Sequence, residues 1–478
     1  MKKDIRIVAL LITLMTASVP AMAQYNLRSA YFTEGYTYRH RMNPAFANER
    51  NYVSMPVLGN FNISMQSTVG VSDFIYKKEN GDLTTFLNQS VSSDEFLSGL
   101  KHRNRINLDL DLNIMSAGFF AWGGFNTIDL SVKSGTRLNL PKEFFEFAKV
   151  GMNGGQTEYN MKDLGVYNNT YAEIALGHSR RITDRWTVGA KVKFLVGMYN
   201  GDFHVNNMRV VMGEDKWMVE GDGELTSAGM IDIPTKKKAA DESTGKAETE
   251  ELDFENIDFD SGNITSGGGM AFDLGATYKL RDDLELSASL LDLGFIRYKN
   301  VTKGTMLVEP WEFDGFKDIP YDSDNVKDGQ TSIEDQIDNL GDDLEDCFRF
   351  NTQGKTSKAK ALGATLNIGA LYTLPYYDKL KFGFLSSTRI QGRYSWSEGR
   401  FSANIAPVKC FDASVSYAIS SFGSSFGWIL NVHTKGFNFF VGSNHQFFKV
   451  TPQFVPVHHA TADINLGINF PFGSRKSL

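Results

Sequence analysis

The stretch YAEIALGHSRRITDRWTVGAKVKFLVGMY, Tyr171–Tyr199, decides the fold. In its second half Trp186, Val188, Ala190, Val192, Phe194, Val196 and Met198 are apolar, while Thr187, Gly189, Lys191, Lys193, Leu195 and Gly197 lie between them. A period of two puts one set on each face of an extended strand. The first half repeats the pattern more weakly, with Ala172, Ile174 and Leu176 against Glu173, Ala175 and Gly177. Thr183-Asp184-Arg185 joins the halves as a tight turn, so the stretch reads as a β-hairpin.

Working outward, the same unit recurs. Ile106, Leu108, Leu110, Leu112 and Ile114 alternate with Asn107, Asp109, Asp111 and Asn113, and the aromatic-rich Ala117–Val132 reads as the next strand. Tyr52–Gly59 and Phe61–Val69 are two candidate strands, the first weakened by Pro56. Met270–Leu280 and Leu284–Leu290 form a second hairpin around Arg281-Asp282-Asp283. From Ala361 the alternation is nearly continuous, through Leu366, Ile368, Phe382, Phe384, Val415 and Tyr417 to Ile464, Ile468 and Phe472. About 14 strands are expected, with 12 and 16 as alternatives. Asp73–Leu100 reads as irregular with a short helix near Asp94–Leu100, and Lys142–Val150 as an amphipathic helix after Pro141.

Many runs reach the roughly 9–11 residues that a tilted strand needs to cross a bilayer. Backbone groups in lipid must all be paired, so spanning strands close on themselves. The expected fold is all-β, a closed antiparallel transmembrane β-barrel with long extracellular inserts and short turns at the other end. The even-numbered face of most later strands is expected to meet lipid and the Gly/Ser/Thr/Asn/Lys face the lumen, with Lys191 and Lys193 inside. Trp186, Tyr199 and Tyr278 are candidates for interfacial girdles. A soluble β-sandwich or propeller also alternates, but its strands are usually shorter.

Targeting signals agree. Lys2, Lys3 and Arg6 precede the apolar run Ile7–Leu14, and Ala21-Met22-Ala23 fits a small-x-small cleavage site. Residues 1–23 therefore read as a signal peptide and 24–478 as one outer-membrane domain of a Gram-negative bacterium, with residues 24–51 a lumen or periplasmic segment. No later run of about 18 apolar residues offers a transmembrane helix. In an oxidising compartment Cys347 and Cys410 either pair or stay as unrelated thiols.

Net charge is −7, but the acid is confined to two inserts. Thr235–Gly262 carries nine acids against four lysines, and Trp311–Phe350 thirteen acids against three bases, with a helix expected at Ser332–Leu344. Solvated, poorly ordered loops are the plain reading of such runs. No basic footprint for nucleic acid is present.

Constellations that could carry chemistry fail on inspection. Gly423-Ser424-Ser425-Phe426-Gly427 matches a nucleophile elbow, which needs a strand before it and a helix after it. Strand-like sequence lies on both sides, so a hairpin turn is expected. Asp322-Ser323-Asp324-Asn325 begins like a calcium loop, but Val326 and Lys327 stand where an oxygen ligand and Gly are required. His458 and His459, adjacent in a strand, would point to opposite faces, and His445 stands apart. No catalytic, cofactor-binding or metal-ligating residue is nominated, and the chain is not read as an enzyme.

LRSAYFTEGYTYRHRMNPAF (Leu27–Phe46), the turn Pro56-Val57-Leu58-Gly59-Asn60 and Ala121-Trp122-Gly123-Gly124-Phe125-Asn126 resemble an uncharacterised outer-membrane β-barrel family of Gram-negative bacteria. Asn43-Pro44-Ala45 and Leu291-Asp292-Leu293-Gly294-Phe295-Ile296 carry a more distant similarity to long-chain fatty-acid transporter-type barrels and related secretion-associated barrels. The resemblance implies about 14 strands with an N-terminal segment inside or under the lumen, and transfers no functional residue. One departure is that Phe472 is followed by Gly473–Leu478, so a terminal aromatic assembly signal would be slightly internal.

Two functions from different classes are expected. One is a channel or transporter for hydrophobic or amphipathic small molecules, with Asp73–Leu100 as a plug or gate. The other is a non-transporting anchor for surface or secretion protein partners, with the acidic inserts as its working surface. Either way the lipid bilayer of the outer membrane is the first partner.

Overall fold

The computed structural model describes residues 26–473 other than 79–81, 152–156, 214–215, 239–247, 260–263, 314–348 and 447–460. The expected signal peptide, the calcium-like loop, the expected helix at Ser332–Leu344, Cys347 and His458-His459 lie outside the described residues.

Fourteen strand positions close one antiparallel barrel. They are β1 (Asn51–Ser54 and Asn60–Ser67), β2 (Arg103–Ala121), β3 (Gly124–Pro141), β4 (Gly165–Arg181) and β5 (Trp186–Met212). Then come β6 (Gly267–Arg281), β7 (Leu284–Phe313), β8 (Ala364–Thr373), β9 (Leu380–Ile390) and β10 (Trp396–Val408). The last are β11 (Phe411–Ser420), β12 (Gly423–His433), β13 (Asn438–Gln446) and β14 (Ala462–Phe472). Each pairs with its sequence neighbours, and β1 closes the ring by pairing with both β14 and β2. Among the described residues no helix is long and apolar enough to cross a membrane; strands make the crossing.

The opening hairpin is β4–β5, with Arg181 opposite Thr187 and Ile182 N–H donating to Trp186 C=O. Twelve of the 14 strands are joined in six hairpins by short turns at this end, and the long connections leave from the other. One boundary differs from the pattern. Ala117–Ala121 belongs to β2, and the chain reverses at Trp122-Gly123, whose φ values of 54° and 71° make a two-residue hairpin turn. Period alone could not separate two strands joined by so short a turn. In β1, Met55–Gly59 loops out between the two pieces, with Pro56 unable to donate a ladder bond and Val57 at φ 65°.

The outward face is apolar on every side of the ring: Phe194 and Val196 on β5, Phe272 on β6, Ile368 on β8, Phe384 on β9, Phe401 on β10, Val415 on β11 and Leu430 on β12. The even-numbered rule holds for β5, β6, β8, β9, β12 and β14 and fails for β10, β11 and β13 and for β7 past Leu291, because turn lengths and bulges reset the parity. Trp186 and Tyr278 pack across β5–β6 with centroids 4.6 Å apart and ring planes tilted by 36°, as a girdle pair would. Tyr199 does not join them; it lies past the bulge in β5.

β5 and β7, of 27 and 30 residues, rise beyond the ring. Residues Trp217–Gly229 pair with both, and Asn351–Ala361 extends the sheet from β7. This outer sheet has its own core of Val205, Met208, Val210, Val219, Met306 and Val308, covered by Leu252, Phe254 and Phe350. The described part of the first acidic insert is therefore not simply a solvated loop. The first contributes strands Thr235–Lys238 and Thr249–Leu252, and the second ends on Phe350 in the core. In the first insert Lys236, Lys237, Glu248 and Glu250 are exposed to water while Leu252 is buried. Asp73–Leu100 packs at the same end: α1 (Ser93–Ser98) and α2 (Lys142–Val150) share a cluster with Val69, Val91, Phe96 and Phe145.

Candidate functional site

The barrel interior is occupied by residues 26–50. This segment makes two 3₁₀ turns, Arg28–Ala30 and Thr37–Arg41, and contributes no strand to the wall. Its rings build a core with the wall: Tyr31, Phe32, Tyr36, Tyr38, Met42 and Phe46 pack with Tyr52, Phe125, Leu385 and Phe440. A ring of 14 strands is too wide for its own side chains to fill, since about eight strands is where side chains alone suffice. The N-terminal segment supplies the missing volume, so Asp73–Leu100 is not the plug.

The wall makes room for it with glycines. A Cβ added at Gly189 or Gly275 would collide with Asn43-Pro44-Ala45, at Gly383 with Phe32, at Gly427 with Ser29 and at Gly442 with Leu27. These are the small residues of the lumen-facing register. Asn43 fixes the same turn: its amide donates to the carbonyls of Ala276 (3.4 Å) and Ala288 (3.2 Å), while its oxygen accepts from Ala45 N–H at 2.9 Å. Ser289 and Asn367 donate to Met42 C=O, and Ser179 to Ala45 C=O. The Asn43-Pro44-Ala45 motif is thus a seat between plug and wall.

Charges lock the fit. Arg28 forks onto Glu398 of β10 at 2.9 and 2.6 Å and lies over the Trp396 ring. Arg41 donates to both oxygens of Asp111 on β2, at 2.9 and 2.6 Å. Lys193 meets Asp273 (2.7 Å) and Asp292 (2.6 Å), and Lys133 meets Glu173 (2.9 Å). Lys191 and Lys193 do face the lumen, but as members of ion-pair clusters rather than as free cations. Asp292, in the Leu291–Ile296 motif, has φ 57° and takes its backbone N–H to Asp273. There β7 exchanges β8 for the outer strand Asn351–Ala361 as its neighbour.

Above the plug a cavity of about 40 Å³ remains. Arg28, Arg137, Arg389, Asp109 and Asp292 give it charge, and Tyr31, Met42, Leu291 and Trp396 give it apolar wall. A buried water needs roughly 10–15 Å³ of such space, so the cavity has room for a few waters and not for a larger molecule.

Other expected features fall elsewhere. Gly423–Gly427 opens strand β12 rather than forming the turn, which is Ser421-Phe422. Ser425 bonds His445 Nδ1 at 2.9 Å in the lumen, with no helix behind it. Cys410 is exposed at the β10–β11 turn. Among the described residues no cluster of His, Cys, Asp or Glu is arranged to hold a metal. Outside the spanning region, burial pushes the Glu224 carboxyl up, but Lys358 at 2.7 Å and Lys303 at 3.4 Å hold it below its ordinary value.

The chain belongs to the family of unknown function DUF5723, whose profile matches residues 44–444. No curated protein matches it. Among solved structures it is similar to the toluene transporter TbuX of Ralstonia pickettii, at 10% identity over 92% of this chain and 93% of that one, TM-score 0.39. It is also similar to the Pseudomonas putida toluene transporter TodX, at 10% identity over 91% and 93%, TM-score 0.35. A Pseudomonas aeruginosa FadL homologue aligns at 11% identity over 90% and 91%, TM-score 0.32. The barrel described here rests on its own strand pairing and not on these likenesses.

Proposed function

We propose that this protein is a gated conduit of the outer membrane for amphipathic small molecules, held closed by residues 26–50. The observation that carries the proposal is that the lumen is shut by a separate segment, seated through side chains and glycine notches without joining the sheet. A filler built only for stability is best made part of the wall. One held by ion pairs, hydrogen bonds and ring contacts is able to leave. The cavity above it is lined by both charged and apolar side chains, a mixture that would meet a molecule with a polar head and an apolar body once the segment has left. The short turns then face the periplasm and the outer sheet faces the medium.

Deleting residues 26–50 tests this. The truncated chain, reconstituted in planar bilayers, is expected to show conductance steps where the full chain is silent, and to pass a fluorescent amphiphile into vesicles. A truncated barrel that is folded by heat-dependent gel mobility yet electrically silent overturns the reading.

The anchor reading retains one specific observation, the outer sheet with its own core. Because Leu252, Phe254 and Phe350 are part of that core, removing the acidic inserts would unfold it. Charge reversal at the exposed Glu250 and Lys237, followed by cross-linking in cells, is the cleaner test; unchanged adducts count against it.

A further inference from the structure

Five side chains join plug and wall in a closed ring of hydrogen bonds. Lys191 Nζ lies 2.8 Å from His40 Nδ1, His40 Nε2 2.8 Å from Tyr52 Oη, and Tyr52 Oη 2.8 Å from Ser116 Oγ. Ser116 Oγ donates to Asp129 Oδ1 at 2.7 Å, and Lys191 Nζ donates to Asp129 Oδ2 at 3.0 Å. The proton positions follow from donor counts. Ser116 spends its only proton on Asp129, so it accepts from Tyr52. Tyr52 spends its own on Ser116, so it accepts from His40 Nε2–H. Lysine is a donor only, so His40 Nδ1 must accept. His40 is neutral in this ring, and it is the plug's only member of it; the other four belong to β1, β2, β3 and β5.

The surroundings leave no room for another charge. Lys191, from β5, and Arg41, beside His40 on the plug, face Asp129 of β3 and Asp111 of β2, two cations against two carboxylates. Asp129 Oδ2 also lies 3.8 Å from His40 Nδ1 but is already bonded to Lys191, Asp273 and Lys193 stand behind that lysine, and the rings of Tyr38 and Tyr52 flank the imidazole. A proton on Nδ1 would displace the lysine bond, set two cations 2.8 Å apart and leave one unbalanced charge in a closed interior.

We propose that this ring is a proton-sensitive latch: it holds the plug while His40 is neutral, and a proton taken up by His40 opens it and frees residues 26–50. The proposal rests on the plug reading above. An imidazole released to water binds a proton at its ordinary value of about 6.5. If the closed state excludes that proton, the open-to-closed ratio rises about tenfold for each pH unit below that value. The window between about pH 6.5 and pH 5 lies at the ordinary imidazole range and above the ordinary carboxyl range near 4, and the His40 variants separate this histidine from the buried carboxyls of the lumen.

The test is labelling of Ala30→Cys, a fully buried plug position, by a membrane-impermeant thiol reagent in the full chain carrying Cys347→Ser and Cys410→Ser. Its rate is divided by that of Cys410 in a chain carrying only Cys347→Ser, which removes the reagent's own pH dependence. The ratio is expected to climb about tenfold per unit from pH 6.5 to 5. In His40→Phe or, should that fail to fold, His40→Gln, it is expected to be flat and high. His445→Gln, whose bonds run to Gln66 and Ser425, should keep the slope. A flat ratio in the otherwise native chain, or a slope surviving both His40 variants, overturns the latch. If the latch fails while deletion of residues 26–50 still opens conductance, the plug reading stands alone.

Discussion

The two halves of β5 are one strand in two solvents. Below the bulge near Met198, Val188, Phe194 and Val196 point outward and are 38%, 45% and 38% exposed, facing lipid. Above it, Val205, Met208 and Val210 continue the outward apolar face but are 1%, 4% and 9% exposed, because the first insert and Phe350 cover them. A second bulge, at Asn206, falls between Val205 and Met208, and the two one-residue shifts keep the same face apolar through two changes of parity. Apolarity of a face is therefore a property of the strand. Whether lipid or protein covers it is decided by residues that lie far away in sequence.

The largest effect is expected where lipid is the cover. Phe194→Lys places a charge in the bilayer at about 2–4 kcal/mol and should abolish or sharply reduce heat-modifiable barrel in the membrane fraction. Register alone suggests that Lys193→Phe is the milder change, since it faces the lumen. The structure alters that expectation: Lys193 is the common partner of Asp273 and Asp292, and its loss strands buried carboxylates at roughly 3–5 kcal/mol. Both variants should assemble poorly, and restoration of Lys193→Phe by adding Asp273→Asn and Asp292→Asn would separate the causes. If Lys193→Phe alone assembled normally, the ion-pair account would be wrong.

Where protein is the cover, damage should stay local. Met208→Ala removes buried volume from the outer core at about 2–5 kcal/mol. Limited proteolysis should then cut the outer sheet while the barrel keeps its gel shift. Loss of the gel shift would mean that the two regions fold as one unit.

The smallest effect concerns pH in the same sheet. Glu224 is held below its ordinary pKa by Lys358 and Lys303, so its stabilisation is complete above the unfolded value of about 4.3 and is lost as pH falls through the folded value. Protection factors of Trp217–Gly229, exchange rates divided by the intrinsic rate at each pH, should be unchanged between neutrality and pH 5 and fall below about 4, and Glu224→Gln should remove the acid step.

Much of the site was legible only as a face. Asp109, Asp111, Asp129, Glu173, Lys191 and Lys193 all fall in lumen-facing register, so a charged interior could be read from alternation. Which acid meets which base could not, because the partners sit on different strands: Asp129 on β3 takes Lys191 from β5, and Asp292 on β7 takes Lys193. The glycines of that face read as small residues, and their use as notches appears only when residues 26–50 are laid against them. His40 gave no signal, since a lone histidine in an aperiodic segment has no pattern to belong to.

The sequence by itself determined the strands, the greasy face of each, the tight turns at one end and the antiparallel barrel of about 14 members. Those follow from a period of two and from the need to pair every backbone group in lipid, both of which are local. Tertiary structure alone decided what fills the ring, how its charges are matched, and that the acidic inserts bring Leu252 and Phe350 back to cover an outer core. These depend on contacts between residues separated by tens to hundreds of positions, where closure of the ring, not the local pattern, sets which side chains meet.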